Sequence, residues 1–315
     1  MERGMYARDR LPVTGAIGEP AGGARLVATF RVGELEISQL SDGFETAPRR
    51  SWFAGIDPQV WMPTFGIIDP DTPFAVNFGG FLVVGDGHVT LVDAGLGAPG
   101  LTRTGLAGGG RMLERLAEIG VDRHAVDRVV LTHMHSDHVG HLSDAAAVMT
   151  FPNAVVHVNR DELDYWTTST SDDNPMSTFV RSRISGLLRD GRVRTFAGEH
   201  ALSPSVTAIP TPGHTPGHCS VVLRSAGQTA ILLGDVAHHP VHLEHHGWLP
   251  RIDLDPAESQ RSRARVAGFA ADHHAVVVGP HMPVLTLGYV ERRPDGCFGY
   301  VPAECNADGV PVRSR

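Results

Sequence analysis

An α/β sandwich of four layers, two sheets face to face with helices outside, is the architecture to expect of this 315-residue chain. Three features point to it. Strand-like apolar runs alternate with helical patterns along most of the sequence. Those runs are apolar enough to need covering layers. A unit of two apolar runs around a turn, the second ending at an aspartate, also occurs twice. Residues 79–97 read GGFLVVGDGHVTLVDAGLG and residues 218–238 read HCSVVLRSAGQTAILLGDVAH, a weak duplication of pattern rather than of identity.

Residues 1–24 are punctuated by Gly and Pro and read as a flexible arm without the apolar stretch of a secretory signal. No Ser/Gly- or Pro-rich linker follows, so residues 25–315 are expected to form one domain. ARLVATFRV and ELEISQL are strands. The Gly-Asp-Gly turn at 85–87 makes 79–97 a hairpin. RMLERLAEIG is a helix with Gly120 as its stop. VDRVVLT is a strand, and 155–158 is another. Asn159 caps a helix through RDELDYW, and 178–189 has a helical pattern. The second hairpin follows, then a helix over 256–271 and the strand AVVVG, which ends at Pro280-His281.

Composition narrows the function. An apolar fraction of 42 % and a charged fraction of 20 % fit a soluble globular enzyme rather than a disordered chain. A net charge of −8 with no Lys/Arg block argues against nucleic-acid binding. No apolar run is long enough to cross a membrane. The three cysteines, Cys219, Cys297 and Cys305, match no zinc pattern and suggest a reducing cytoplasm. Cys219 reads as a buried strand residue. Histidine is the outlier, at 18 residues.

Four of those histidines fall in LTHMHSDHVGHL, residues 131–142, where a strand ends. Imidazole and carboxylate are ordinary ligands of zinc and similar divalent ions. His133 and His135 alternate along an extended segment and can face one side. Asp137 and His138, on extended backbone, should diverge, which suits two neighbouring ions. Further donors stand at Gly- or Pro-marked strand ends: His214 in TPGHTPGH, Asp235 in LLGDVAHH and His281 in VVGPHMP. Strand ends on one edge can converge on one cleft. His141 reads as solvent-facing or as a helix start. HHPVHLEHHGW, residues 238–248, reads as a mobile, partly polar lid. WFAGIDPQVWMPTFG, residues 52–66, suits a lid, a homodimer contact or core.

HMHSDH, followed in order by His214, Asp235 and His281, resembles the metallo-β-lactamase superfamily over residues 74–281. The resemblance implies an αβ/βα sandwich with a dinuclear metal site at one edge. It implies a first ion on His133, His135 and His214, a second on Asp137, His138 and His281, and Asp235 bridging. Asp93, in LVDAG, matches the family's hairpin aspartate that supports the ligands, and His218 is expected to orient a neighbour. Departures narrow the choice. Common zinc β-lactamases carry Cys where Asp235 stands, and flavodiiron oxidases carry Glu where His135 stands. Glyoxalase II has a C-terminal helical domain, and the transfer-RNA nucleases have basic appendages. Quorum-quenching lactonases and methyl parathion hydrolase-like enzymes resemble this chain better. GDVAH puts His238 where the lactonase GDxxY pattern has tyrosine, as in the methyl parathion hydrolase-like group.

The implied activity is hydrolysis by a hydroxide shared between two divalent ions, zinc first, with manganese, iron and cobalt also compatible. The substrate would be a small lactone or carboxylic ester, with phosphotriesters sharing the electrophile geometry. Asp137, Asp235 and His238 are the catalytic candidates, and Trp166 and Phe179 the pocket candidates. Two alternatives stay open: a thioester hydrolase of the glyoxalase II kind, and a non-catalytic metal-binding protein on the same fold.

Overall fold

Both turns of the duplicated unit close in the same way. Asp86 and Gly87 have φ of 52° and 76°, and Ala226 and Gly227 have φ of 47° and 76°. Gly85 pairs with His88 and Ser225 with Gln228. Two successive left-handed residues match the right-handed twist of the flanking strands, and the Gly at the second position adopts them without strain.

The computed structural model describes residues 26–97, 100–102, 105–107, 110–169, 174–282 and 286–314. The expected arm, 1–24, lies outside them. In chain order the elements begin with β1 (Val27–Val32), β2 (Leu35–Pro48), α1 (Pro58–Phe65), β3 (Pro73–Gly85) and β4 (His88–Val92). Next come the short hairpin of β5 (Gly100–Thr102) and β6 (Gly105–Ala107), α2 (Met112–Glu118), β7 (Arg128–Val130) and α3 (Ser136–Val139). Then follow β8 (Val155–Asn159), α4 (Arg160–Asp164), α5 (Pro175–Arg189), β9 (Val193–Phe196), β10 (His200–Ser203) and β11 (Val206–Pro210). β12 (Cys219–Ser225), β13 (Gln228–Leu232), α6 (Val241–Glu244), α7 (Pro256–Asp272) and β14 (Val276–Val278) come next. β15 (Leu287–Arg292), β16 (Phe298–Cys305) and β17 (Pro311–Arg313) finish the chain.

Strands β1-β2-β3-β4-β7-β8-β9 form one sheet and β10 to β17 the other, each in that order. The duplication extends to topology. After each hairpin a helix-bearing excursion returns a parallel strand: β4 pairs with β7, Val92 opposite Val130, and β13 with β14, Leu232 opposite Val278. Both aspartates of the repeat thus follow the C-terminal end of a strand with a parallel neighbour.

Side-chain alternation builds the layers. Phe81 and Val83 meet Val221, Leu223 and Leu232 between the sheets. Their neighbour Leu82 points out to Met112 and Leu116 of α2 and to Val180 and Ile184 of α5. Val222, Ile231 and Val277 point the other way, to Val266, Ala267 and Ala270 of α7. The central strands are therefore covered on both faces, and each fully buried Val, Leu or Ile contributes about 1.5–3 kcal/mol.

Some boundaries move. α5 starts at Pro175, because Asn174 accepts the Met176 N–H and Pro suits the first turn. The helix after Asn159 is α-helical only to Asp164 and widens into a π turn over Tyr165–Ser169. Among the described residues no helix is long and apolar enough to cross a membrane.

His157 of β8 meets His200 of β10 where the two sheets join, with Nδ1 3.2 Å from Nε2. Burial, then His200, Arg128 and Arg194, push His157 down from 6.5 to about 4. The unfolded chain therefore takes up a proton that the folded chain refuses. This share of stability is intact above about pH 6.5, falls as pH drops toward 4, and is gone below. We expect the melting temperature to fall between pH 7 and pH 4.5, with a shallower slope for His157→Gln. Identical slopes would show that the joint is not acid-sensitive.

Candidate metal centre

Asp93 leaves β4 with φ of 64°, a conformation that costs a non-glycine residue. Its carboxylate explains why the strain is tolerated. Oδ1 accepts the Thr132 backbone N–H at 2.8 Å. Oδ2 accepts the Thr132 hydroxyl at 2.8 Å and the His138 Nδ1–H at 2.9 Å. With the Thr132 proton committed to Asp93, Thr132 Oγ1 accepts from His133 Nδ1 at 3.1 Å. Elsewhere His214 Nδ1 donates to Asp253 at 2.9 Å, and His281 Nδ1 donates to the Asn77 carbonyl at 2.8 Å. In His133, His138, His214 and His281 the Nδ1 proton is thus fixed outward, which leaves a lone pair on each Nε2.

Those lone pairs converge. His133 Nε2 lies 3.0 Å, and His214 Nε2 2.9 Å, from His135 Nδ1. Asp235 Oδ2 lies 3.6 Å from His133 Nε2 and 3.2 Å from His214 Nε2. Asp235 Oδ1 lies 3.3 Å from His138 and 3.1 Å from His281. Asp137 Oδ2 sits 3.6 Å from His138 Nε2 and 3.4 Å from His281 Nε2. The ligand atoms of His133, His135, His214 and Asp235 lie within 4.8 Å of one another, as do those of Asp137, His138 and His281. Asp235 thus lies between the two groups, with His281 Nε2 3.1 Å from its Oδ2 as well as from its Oδ1, and Asp235, His238 and His281 form a third such group.

Acceptors packed against acceptors need cations between them. His138 Nε2 and Asp235 Oδ1 are buried without a hydrogen-bond partner, as a metal-binding pair would be. Burial opposes a charge on His138, yet Asp235, Asp93 and Asp137 outweigh it and hold its pKa well above the usual range. Against the same burial, Asp235 and Asp253 raise His214 to about 9. Burial, then His138, drives His133 well down, and burial, then His214, does the same to His135. Burial would raise Asp235, but the surrounding imidazoles hold it well below the usual carboxylate value. The donor set fits divalent ions, whose binding would displace protons.

The surroundings fix this geometry. His218 Nε2 accepts the Asp235 backbone N–H at 2.8 Å while its Nδ1 faces the Thr211 carbonyl at 3.0 Å. Burial, then His214, takes its pKa down to about 3, so it is neutral. Trp166 puts its ring edge-on to His135, centroids 5.4 Å apart, and donates its indole N–H to Glu162 at 2.8 Å. Phe179 is half-buried against the helical layer, with the Arg183 guanidinium over its ring. His238 Nε2 lies 3.1 Å from Asp235 Oδ2, and its ring packs 4.4 Å from Trp52 and stacks on His281.

Three expectations change. Asp137 and His138 lie on the helical turn α3, not on extended backbone, because Ala94 donates to the His138 carbonyl and Gly140 packs on Leu96. His141 is buried and bonds Asp42 at 3.1 Å, where a bulge in β2 re-aims that aspartate inward. Residues 238–248 do not form a polar lid: Val241, His242 and Leu243 of α6 are buried. Trp52, Phe53 and Trp61 are likewise core.

Sequence reasoning missed Asp42, Glu162 and Asp253. Glu162 is buried and accepts from Met134 N at 2.8 Å, Gly217 N at 3.1 Å and Trp166, which ties the motif loop to the loop of His214. An i,i+4 relation to Trp166 was the one local signal. Glu162→Ala would orphan three buried donors, at about 1–3 kcal/mol each. We expect a loss of about 3 kcal/mol in chemical denaturation, with a smaller loss for Glu162→Gln. A wild-type midpoint in Glu162→Ala would refute the clamp.

A family model described as the metallo-beta-lactamase superfamily matches residues 80–281. The N-acyl homoserine lactonase AttM of Rhizobium radiobacter is 29 % identical over 175 residues, 54 % of this chain and 64 % of that protein. The uncharacterized protein YobT of Bacillus subtilis (strain 168) is 34 % identical over 163 residues, 51 % of this chain and 60 % of its own length. The match thus spans somewhat under two thirds of these relatives. Among solved structures, the hydrolase AbOPH of the beta lactamase superfamily superposes with a TM-score of 0.79 at 22 % identity, covering 90 % of this chain and 99 % of that one. AidC, a dizinc quorum-quenching lactonase, superposes with a TM-score of 0.77 at 21 % identity, covering 89 % and 98 %. At these identities the superpositions speak for the fold.

Proposed function

The chain belongs to the metallo-β-lactamase superfamily, and from that premise we propose that it is a dinuclear metal-dependent hydrolase of small lactones or carboxylic esters. Phosphotriesters are further candidate substrates, because they present the same kind of electrophile. One observation carries the reading: the Asp235 carboxylate lies within 3.1–3.6 Å of the Nε2 atoms of five histidines, among them members of both ligand groups. In this reading His133, His135 and His214 hold one ion, Asp137, His138 and His281 the other, and Asp235 bridges.

When bound, the two cations, zinc first, supply an activated water and a Lewis-acidic contact for the carbonyl or phosphoryl oxygen. The chain's own residues do the rest. Asp93, Asp253 and the Asn77 carbonyl keep three imidazoles in the metal-binding tautomer. Asp137 is the more exposed carboxylate, at 17 % against 2 % for Asp235, so it is the one that reaches solvent. Burial, opposed by Asp235, takes His238 down to about 4. It rests neutral, so it would pass a proton to the leaving alkoxide from one ring nitrogen as the other takes one up from water. Trp166 beside His135 and Trp52 beside His238 wall the two ends of the cluster, and Phe179 lies in the helical layer behind Trp166. The three cysteines are free, which supports a cytoplasmic location.

The test is a substrate panel with zinc, manganese or cobalt supplied: N-acyl homoserine lactones of several chain lengths, aryl esters, paraoxon-type triesters and a glutathione thioester. Metal-dependent ring opening or ester cleavage is expected. Turnover of the thioester alone would replace the proposal with the glyoxalase II-like reading.

A further inference from the structure

Helix α7 carries three arginines with different fates. Arg261 and Arg265 pair with Glu258 at the surface, while Arg263 is wholly buried. A guanidinium is kept from water only where its donors are met. Arg263 Nε donates to the Val236 carbonyl at 2.8 Å. Its Nη1 donates to the carbonyls of His246 at 2.9 Å and Trp248 at 3.2 Å. Its Nη2 makes no hydrogen bond and lies 3.5 Å from Asp253 Oδ2, in an ion pair with both side chains fully buried.

Two of those partners lead to the metal centre by separate routes. Val236 follows Asp235, so the Nε bond holds the bend that presents that carboxylate. Asp253 is the acceptor that fixes the His214 ring through Nδ1. The planar fork thus spans the supports of two ligands that face each other at 3.2 Å. The second group has no such link: His281 rests on the Asn77 carbonyl and His138 on Asp93.

We infer that Arg263 is a positioning residue for the first ion, setting the placement of His214 relative to Asp235 through Asp253 and the Val236 carbonyl. This rests on the two-ion reading above. Loss of the fork should loosen the ion on His133, His135 and His214 most, since both routes converge there, and the ion on Asp137, His138 and His281 much less, since it shares only Asp235. A lysine keeps the charge but cannot span both routes, so it should restore part of the effect.

The experiment is zinc binding by chelator competition on the full chain, comparing wild type, Arg263→Met, Arg263→Lys, Asp253→Asn and the Arg263→Met/Asp253→Asn double variant. The expected result is two zinc ions in wild type. In Arg263→Met one ion should bind about 10- to 100-fold more weakly, the usual cost of losing an outer support. The other should change less than about threefold, with an intermediate value in Arg263→Lys. Asp253→Asn should also weaken that ion, and the double variant should cost little more than Arg263→Met alone, because Asp253 is one of the two routes through which the arginine acts. Equal weakening of both ions, or full additivity in the double variant, would mean a merely structural arginine and overturn the inference. If Arg263→Met does not fold, Arg263→Lys and Asp253→Asn decide it: wild-type affinity for both ions in both variants overturns it. Fewer than two ions in wild type would instead sink the two-ion reading.

Discussion

Asp235→Asn should lower kcat/KM for lactone opening by about a thousandfold or more and reduce bound metal from two ions per chain to one or none. The substitution keeps the shape of the side chain but gives up its charge and one acceptor oxygen. Oδ2 faces His133 and His214, Oδ1 faces His138, and His281 lies 3.1 Å from both oxygens. An amide cannot do both, since its nitrogen would direct protons at imidazole lone pairs. Losing a preorganised charge at a reacting centre costs about 10²–10³ in rate, and losing an ion as well costs more. The measurements are steady-state kinetics and metal content on the same preparation. A variant with wild-type rate on every substrate of the panel would remove the proposed mechanism.

Stripping the metals should also destabilise the fold, by the second-largest effect expected here. The imidazole nitrogens of His133, His135 and His214 stand 2.9–3.0 Å apart, an approach that a shared cation would offset. The four segments that carry the ligands lie far apart in the chain, so ions on them bind the folded state and not the unfolded one. At free metal of about 100 times Kd, each ion adds about 2.7 kcal/mol. For a chain of this size two ions should then raise the melting temperature by about 10 °C or more. Calorimetry of chelator-treated and zinc-reloaded protein checks this, and equal melting temperatures would contradict it.

How far the sequence carries the account differs from residue to residue. The hairpin at 79–97 was legible because its turn chemistry is local: Asp86-Gly87 can hardly be anything else. The ligand set was legible because each member stands at a Gly- or Pro-marked strand end and the motif types are specific. Asp93 and His218 were expected as supports, but three others were not. Asp42 meets His141 across 99 residues, Glu162 meets Gly217 across 55, and Asp253 meets His214 across 39. Each sits in a segment whose local pattern reads as a turn, a helix face or a cap. Only the folded chain brings a partner to it.

The turn α3 makes the same point. SDHV is four residues long and has no capping side chain. It is helical because Ala94 and Gly95 clamp it: Ala94 N donates to the His138 carbonyl at 2.7 Å and Gly140 N to the Gly95 carbonyl at 2.8 Å. A Cβ on Gly140 would meet the Leu96 carbonyl at 2.0 Å, so glycine alone admits that approach. Extended backbone was the reasonable expectation from the motif, and tertiary contact overrides it. His141 and the residues of α6 follow the same logic, since polar or His-rich stretches become buried wherever a carboxylate or carbonyl waits for them.

The most direct test is anomalous diffraction at the zinc edge from crystals of the zinc-loaded protein. The account predicts two peaks per chain, one among His133, His135, His214 and Asp235, the other among Asp137, His138, His281 and Asp235. A single peak, or peaks away from Asp235, would contradict it.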